Sequence, residues 1–169
     1  LDTLNNIGLL RFKQKDYEAA LTHFQRLAGL NPQSRDAQMS LAATYAKLNQ
    51  NEKAIELWKD LIRKDPQRHI VRLDLANALW ASGDRAGARY HYQFLVNADP
   101  KNPGGHNGIG LWHLENNKLA AAEAAFRKSI ELDRKYVVGY NNLAITLERM
   151  NKRSAAIQVL EQALKVDPT

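Results

Sequence analysis

The sequence lacks several features that mark whole classes of proteins. It contains no cysteine, which excludes a disulfide framework and thiolate chemistry. It has no apolar run long enough to span a membrane and no recognisable targeting segment. We therefore expect that this segment does not insert into a membrane. No residue in it selects a compartment, so bacterial envelope and cytoplasm both stay open.

Charge of one sign is not concentrated in any part of the chain. The 24 basic and 18 acidic residues give a net charge of +6. Acidic side chains nevertheless accompany basic ones at helical spacing, as in Glu52, Glu56, Lys59, Asp60 and Arg63. A nucleic-acid-binding protein concentrates Lys and Arg along one stripe, where they displace counterions from phosphates. The distribution therefore predicts solvated helix surfaces and no nucleic-acid partner.

Motifs that carry catalysis or metal binding are missing as well. His106 and His113 lie seven residues apart, too far to share one metal ion without a third element, and we expect both to pack between helices. The glycine-rich stretch 103–110 lacks the preceding strand and the terminal Lys-Ser/Thr of a phosphate-binding loop. It is interpreted as a weakened helix start, with a hinge or a close ligand approach at Gly105 and Gly108 as the alternative. We predict that the segment is not an enzyme and holds neither metal nor cofactor.

What the sequence does contain is a period of 34 residues without insertion or deletion. At this interval one column holds only alanine: Ala20, Ala54, Ala88, Ala122 and Ala156. A second column holds only Gly or Ala: Gly8, Ala42, Ala76, Gly110 and Ala144. A third is mostly aromatic: Phe24, Trp58, Tyr92, Phe126 and Leu160. Small residues opposite large ones at a fixed period indicate helices that approach closely and stack on their neighbours.

Each repeat is predicted to contain two antiparallel helices. In the second repeat, apolar residues recur every three or four positions from Leu41 to Leu48 and again from Ala54 to Ile62. The polar break between the helices opens with the following residues: Lys15, Asn49, Gly83, Asn117 and Asn151. Gly and Asn tolerate the left-handed backbone that closes a helix. In most repeats a proline then ends the second helix, because proline disfavours a helical residue before it.

These columns, in phase along the whole chain, resemble the tetratricopeptide repeat. That pattern has Leu at position 7, Gly or Ala at 8, Ala at 20, an aromatic at 24 and Pro at 32. The resemblance implies an all-α, right-handed α-solenoid of antiparallel helix pairs, a single domain spanning residues 1–169. Its repeats would be 1–34, 35–68, 69–102, 103–136 and 137–169. Position 4 departs from the large residue of the family, and we expect looser packing there: Leu4, Gln38, Arg72, His106 and Tyr140.

The resemblance also implies a concave groove lined by the first helix of each repeat. The matching apolar residues are Leu9, Phe12, Met39, Leu73, Trp80, Leu111, Leu114 and Ile145. The matching amides are Asn5, Asn77, Asn107 and Asn141. We call these twelve the predicted groove residues. Apolar side chains suit an amphipathic helix or hydrophobic peptide, and amides pair with any peptide backbone. For Leu9 and Leu111, packing on the adjacent first helix is an equal alternative. The same phase predicts that Trp58 is buried, whereas Phe12 and Trp80 are partly accessible.

The function implied by the resemblance is a protein–protein interaction scaffold that binds a peptide or helix of a partner in the groove. Two alternatives stay open. One is a spacer or self-assembly segment of a longer array, and the other is a regulatory or targeting domain attached to an enzyme outside this segment. The carboxylate-clamp pattern that some members use for chaperone tails is matched only at Asn77. Such a tail is therefore not the expected ligand.

Both ends of the chain coincide with repeat boundaries, so we expect a fragment of a longer array. Its final helix should present an apolar face, predicted at Leu160, Ala163 and Leu164, which a further repeat would cover. Contiguous exposed apolar surface favours association. End-to-end self-association through Leu160 and Leu164 is therefore expected.

Overall fold

Ten α-helices follow one another in the computed structural model, which describes residues 2–168. Their bounds are α1 Asp2–Lys13, α2 Tyr17–Leu30, α3 Arg35–Lys47, α4 Asn51–Lys64, α5 His69–Ser82, α6 Arg85–Ala98, α7 Pro103–Glu115, α8 Leu119–Leu132, α9 Val137–Arg149 and α10 Arg153–Val166. No strand occurs between residues 2 and 168. Each repeat thus supplies the two helices that its apolar spacing predicts.

The chain divides into two compact units, Leu1–Asp84 and Arg85–Thr169, which we call unit 1 and unit 2. Unit 1 contains α1 to α5, and unit 2 contains α6 to α10. In each unit every helix packs on the next one along the chain. The first helices of successive repeats also touch, α1 with α3 and α3 with α5 in unit 1, and α7 with α9 in unit 2. This nearest-neighbour packing is that of an all-α solenoid.

The small and aromatic columns meet inside each repeat, as their phase predicts. A Cβ built on Gly8 would lie 2.7 Å from Phe24 Cε1, and one on Gly110 would lie 2.5 Å from Phe126 Cε1. Real Cβ atoms do not approach that closely, so only glycine permits these two contacts. The alanine column is buried throughout, with at most 8% exposure, at Ala156. Helix spacing in this fold is therefore set by residue size at two columns.

The turn inside each repeat has the predicted left-handed residue. Its φ angles are 63° at Lys15, 58° at Asn49, 94° at Gly83, 56° at Asn117 and 60° at Asn151. In four of the turns, the backbone N–H of the following residue donates a hydrogen bond to a carbonyl in the last turn of the preceding helix. One example is Gln50 N to Tyr45 O, at 2.9 Å. This hydrogen bond satisfies a carbonyl that has no partner within the helix. Lys15 is the one residue of the five that is neither Gly nor Asn, the residues that adopt this conformation most readily.

Position 4, expected to loosen the packing, instead ties consecutive repeats together. Its side chain hydrogen-bonds the carbonyl six residues earlier, at the turn between repeats. The pairs are Gln38 Nε2 with Pro32 O, Arg72 Nη2 with Pro66 O at 2.8 Å, His106 Nε2 with Pro100 O at 2.9 Å, and Tyr140 Oη with Arg134 O at 3.1 Å. All four side chains carry an N–H or O–H donor, which Leu4 of the first repeat lacks. The expectation of looser packing was therefore wrong, because these positions exchange apolar contact for a hydrogen bond.

The glycine-rich start of α7 forms a close contact between helices. Pro103 occupies the first turn of the helix, and the Asn102 side chain caps it by accepting from Gly105 N at 3.0 Å. A Cβ at Gly105 would lie 3.2 Å from Leu95 Cβ, and one at Gly108 would lie 2.2 Å from Tyr92 Cδ1. The glycines therefore let α6 approach the α7 backbone, and this account replaces both the hinge and the ligand contact.

Candidate functional site

The first helices of unit 1, α1, α3 and α5, carry predicted groove residues, and we call the surface that these residues form the inner face of unit 1. Leu9 is 41% exposed, so it does not pack fully on the neighbouring helix. Asn77 is exposed, and the remaining members are half-buried: Asn5, Phe12, Met39, Leu73 and Trp80. The Phe12 ring is held edge-on by Tyr17, with centroids 5.2 Å apart. Unit 1 therefore displays a mixed apolar and amide surface whose rings are partly supported by the core.

Two charged groups accompany that surface. Asp74 lies on α5 between Leu73 and Asn77 and is half-buried. Burial raises the pKa of its carboxyl to about 6, and the opposing attraction of Lys47 on α3 only partly offsets this. A carboxyl with a perturbed pKa on an otherwise apolar and amide face is a feature that binding sites share with structural ion pairs. Sequence phase places both residues on this face but gives no sign that Asp74 is desolvated.

The inner face of unit 2 is more closed. Asn107 is only 5% exposed and Leu114 only 8%. Asn107 Oδ1 accepts a hydrogen bond from Asn142 Nδ2 at 2.9 Å, so this amide joins α7 to α9. The Leu114 carbonyl accepts from Arg149 Nη1 at 3.4 Å. The expectation that these two side chains are open to a partner is therefore corrected: the first is used within the unit, and the second belongs to the core.

The other unit 2 members differ in accessibility. Leu111 is half-buried and packs against the core formed by α7 to α10. Asn141 is exposed and Ile145 is 45% exposed. The accessible part of this face is therefore concentrated on α9.

A cleft of about 520 Å³ lies between α9 and α10 and contains both of those residues. Its walls are Asn141, Ala144, Ile145, Glu148, Arg153, Ala156, Ile157 and Leu160. Leu160 is 42% exposed and Leu164 is 61% exposed, whereas Ala163 is only 6% exposed. The expected apolar face at Ala163 is therefore wrong, since that side chain packs inward, and Ile157 at 58% exposure takes its place. We call this surface the C-terminal cleft.

A second cavity, which the sequence does not signal as a cavity, lies between α6 and α7 in unit 2. None of the twelve predicted groove residues lines it. One of its walls is Trp112, the only aromatic residue in a column that otherwise holds Leu10, Thr44, Ala78 and Thr146.

Among residues 2–168, no three His, Asp or Glu side chains are close enough together to hold a metal ion. No helix in that range combines the length and apolar character of a transmembrane span.

Comparison with known proteins identifies the repeat. Family models described as tetratricopeptide repeat match residues 11–71, 73–136 and 138–169. The chain belongs to the tetratricopeptide repeat family. Tetratricopeptide repeats generally mediate protein–protein interaction, and their scaffold is typically non-catalytic.

Among curated proteins, this tetratricopeptide repeat chain is similar to the human protein O-mannosyl-transferase TMTC3. The two are 27% identical over 180 aligned residues, which cover 97% of this chain and 20% of the human protein. The chain thus spans a fifth of that relative, whose name describes the whole protein.

Solved structures support the fold. TTC0263, a thermophilic tetratricopeptide repeat protein of Thermus thermophilus, gives a TM-score of 0.87 at 23% identity, covering 99% of this chain and 92% of that one. A chain of the APC/C hetero-tetramer Cut9–Hcn1 gives the same TM-score, 0.87, at 19% identity, covering 98% of this chain and 33% of that one. At these identities the likeness concerns the fold alone.

Proposed function

We propose that this tetratricopeptide repeat segment binds a helix or an extended peptide of a partner protein on the inner faces of its first helices. The observation that supports this most is the inner face of unit 1, where accessible Leu9 and half-buried Met39, Leu73 and Trp80 accompany the exposed amide of Asn77. Aromatic and Met side chains supply large contact area, and each apolar side chain newly covered contributes on the order of 1–2 kcal/mol.

The polar groups of that face would fix how the partner lies. An Asn amide offers donors and an acceptor, so it pairs with backbone groups whatever the partner's sequence. Lys47 and Asp74 place opposite charges on neighbouring helices of unit 1, which would favour one orientation of a charged peptide. Apolar contact therefore provides affinity, while the amides and charges provide register.

Selection of peptides from a random library, followed by affinity measurements on variants, tests this proposal. Asn77→Arg places a bulky charge at an exposed inner-face position, and we expect it to weaken the selected peptides tenfold or more. Glu56→Arg is the matched control, because it introduces the same side chain at an exposed position on α4, the second helix of its repeat. Equal affinity of the selected peptides for both variants would contradict binding at the inner face.

A second candidate is self-association through the C-terminal cleft. Within the aromatic column, Phe24, Trp58, Tyr92 and Phe126 are at most 3% exposed, whereas Leu160 is 42% exposed. In an earlier repeat, the surface that corresponds to the cleft on α9 and α10 packs against the first helix of the next repeat. We propose that an apolar helix face of a second copy covers it.

Light scattering at high protein concentration checks the second candidate. Leu160→Glu combined with Leu164→Glu should abolish association while leaving helicity near that of the unchanged chain. Ile70→Glu, at a residue 60% exposed in unit 1, is the control and should not affect it. A chain that stays monomeric over the whole concentration range would refute the candidate.

A further inference from the structure

A cavity of about 720 Å³ lies between α6 and α7 in unit 2, away from the predicted groove residues. We call it the outer cavity. The side chains that matter here are Arg85, Arg89, Tyr90, Phe94, Trp112 and Glu115. Its size is within the range that holds a few side chains of a ligand or partner. Tyr90 is 64% exposed, so one aromatic wall is open to solvent.

The cavity owes one wall to Trp112, at a position that is small in the second, third and fifth repeats and holds Leu10, 57% exposed, in the first. Thr44 and Thr146 are completely buried and Ala78 is 4% exposed, because this column packs against neighbouring helices. In the fourth repeat Trp112 stands there, and it is only half-buried. An indole is far larger than the threonine that the same slot encloses elsewhere, so part of the ring lies outside the core. It becomes the wall of the outer cavity.

Two cations beside this ring make no ion pair among residues 2–168. The Arg89 guanidinium lies 4.3 Å from the centre of the Trp112 ring, and Lys118 Nζ lies 5.2 Å from it. Arg85 differs, because its Nε donates to both carboxylate oxygens of Glu115, at 2.7 and 3.0 Å. Arg89 and Lys118 therefore place positive charge beside the aromatic surface that no ion pair among residues 2–168 offsets.

The pKa of His113, next to Trp112, also responds to the positive charges of Lys118 and Arg89. Burial is the main cause that lowers its pKa, and the charges of Lys118 and Arg89 lower it further. The charged form of His113 is therefore disfavoured beside these two cations.

We propose that the outer cavity binds an acidic linear segment of a partner protein in which a carboxylate side chain neighbours an aromatic or aliphatic one. The carboxylate pairs with Arg89, which lies over the Trp112 ring, with Lys118 adding positive charge nearby, and the apolar side chain enters between Tyr90 and Phe94. Guanidinium and ammonium groups already held over a ring lose little freedom on pairing, which favours this geometry. None of the twelve predicted groove residues lines the cavity, so one segment could hold a partner at each surface.

Nucleic acid fits the cavity less well, although cations and aromatic rings also bind single strands. A base stacks on an open ring face, and Trp112 already has two cations within cation–π distance. Glu115 in the wall would repel a phosphate. These two features favour a carboxylate-bearing peptide.

The test is a titration with three fluorescent probes: a short peptide alternating Glu and Phe, the same peptide with Lys in place of Glu, and an oligothymidine. Arg89→Glu reverses the charge at the cavity, and we expect it to weaken the acidic peptide at least tenfold. Arg26→Glu makes the same exchange at an exposed position of α2 that has no ion pair among the described residues, and it should have no effect. Trp112→Thr, which restores the residue of the second and fifth repeats, should also lose the peptide.

Binding of the acidic peptide alone, lost in Arg89→Glu and Trp112→Thr but kept in Arg26→Glu, supports the proposal. Equal binding of the Lys peptide, preferential binding of oligothymidine, or equal loss in Arg26→Glu and Arg89→Glu would each overturn it. Circular dichroism confirms that the variants are folded, and Arg89→Glu, at an exposed residue, keeps the test valid if Trp112→Thr does not fold. Competition by the groove-selected peptides would place the acidic probe elsewhere and also overturn it.

Discussion

Units 1 and 2 share one repeat phase but differ in the column six residues into each repeat. In unit 2 this column holds Gly108, whose missing side chain lets the Tyr92 ring approach the α7 backbone. In unit 1 it holds Asp74, a half-buried carboxyl whose pKa is raised to about 6. Gly108 therefore serves helix contact, whereas Asp74 adds a polar side chain to the surface. The column also contains Asn142 in unit 2, which joins α9 to α7 through Asn107.

The largest effect is expected at that column in unit 2. Gly108→Ala would place a Cβ 2.2 Å from the ring of fully enclosed Tyr92, so the helix or the ring must move. We expect a loss of about 1–3 kcal/mol in the free energy of unfolding, measured by denaturant melts.

The matched control for that substitution is in unit 1. Gly29→Ala adds the same methyl group to α2, where no atom lies within 4 Å of the new Cβ. It should stabilise the chain by about 0.5–1 kcal/mol, because alanine is the better helix former. A Gly108→Ala variant that is as stable as Gly29→Ala would refute the close contact between α6 and α7.

The next effect concerns the unit 1 member of the column. Burial raises the Asp74 pKa from 3.8 to about 6, so ionisation costs more in the folded chain than in the unfolded one. Stability is therefore lost as pH rises between those two values and stays lost above them. We expect Asp74→Asn to stabilise the chain by about 1–2 kcal/mol near pH 8, allowing for residual solvent contact. The gain should vanish below the lower pKa. A gain that does not depend on pH would show that the carboxyl is not desolvated.

A smaller effect is expected at the turns. Lys15 adopts φ 63°, a conformation that costs an ordinary residue about 1–2 kcal/mol. Lys15→Gly should therefore stabilise unit 1 by about 0.5–1 kcal/mol after the added chain entropy. Asn117→Lys in unit 2 makes the reverse change at φ 56° and should have the opposite sign. Thermal melts that show the same sign for both variants would count against a shared turn geometry.

The smallest effect distinguishes buried from accessible rings within unit 1. Trp58 is 3% exposed, as its column predicted, and Trp80 is half-buried. In variants that keep one tryptophan each, acrylamide should quench Trp80 more strongly than Trp58. Comparable quenching would mean that the phase does not separate core from inner face.

Sequence reasoning predicted much of the fold because the deciding signals are local and periodic. A column of alanine, a column of Gly or Ala and an aromatic column determine where helices touch, and Gly or Asn at a fixed interval determines where they turn. Each of these depends on a few residues within one repeat, so recurrence at 34 residues makes the pattern unambiguous. The helix pairs, the left-handed turns and the burial of Trp58 could all be predicted in this way.

Only the tertiary structure decided which of the predicted surface residues are accessible. Asn107 and Leu114 have the same phase as exposed Asn141 and half-buried Trp80, yet they are enclosed. Their burial depends on contacts that α7 makes with several helices of unit 2, including the hydrogen bond that the Asn142 side-chain amide donates to Asn107. The hydrogen bonds made by the position 4 side chains, and the cavity beside Trp112, likewise depend on how separate parts of the chain pack together. Sequence periodicity determines which face a residue occupies, but the distance between neighbouring helices determines whether that face is open, because accessibility depends on all the side chains packed around it.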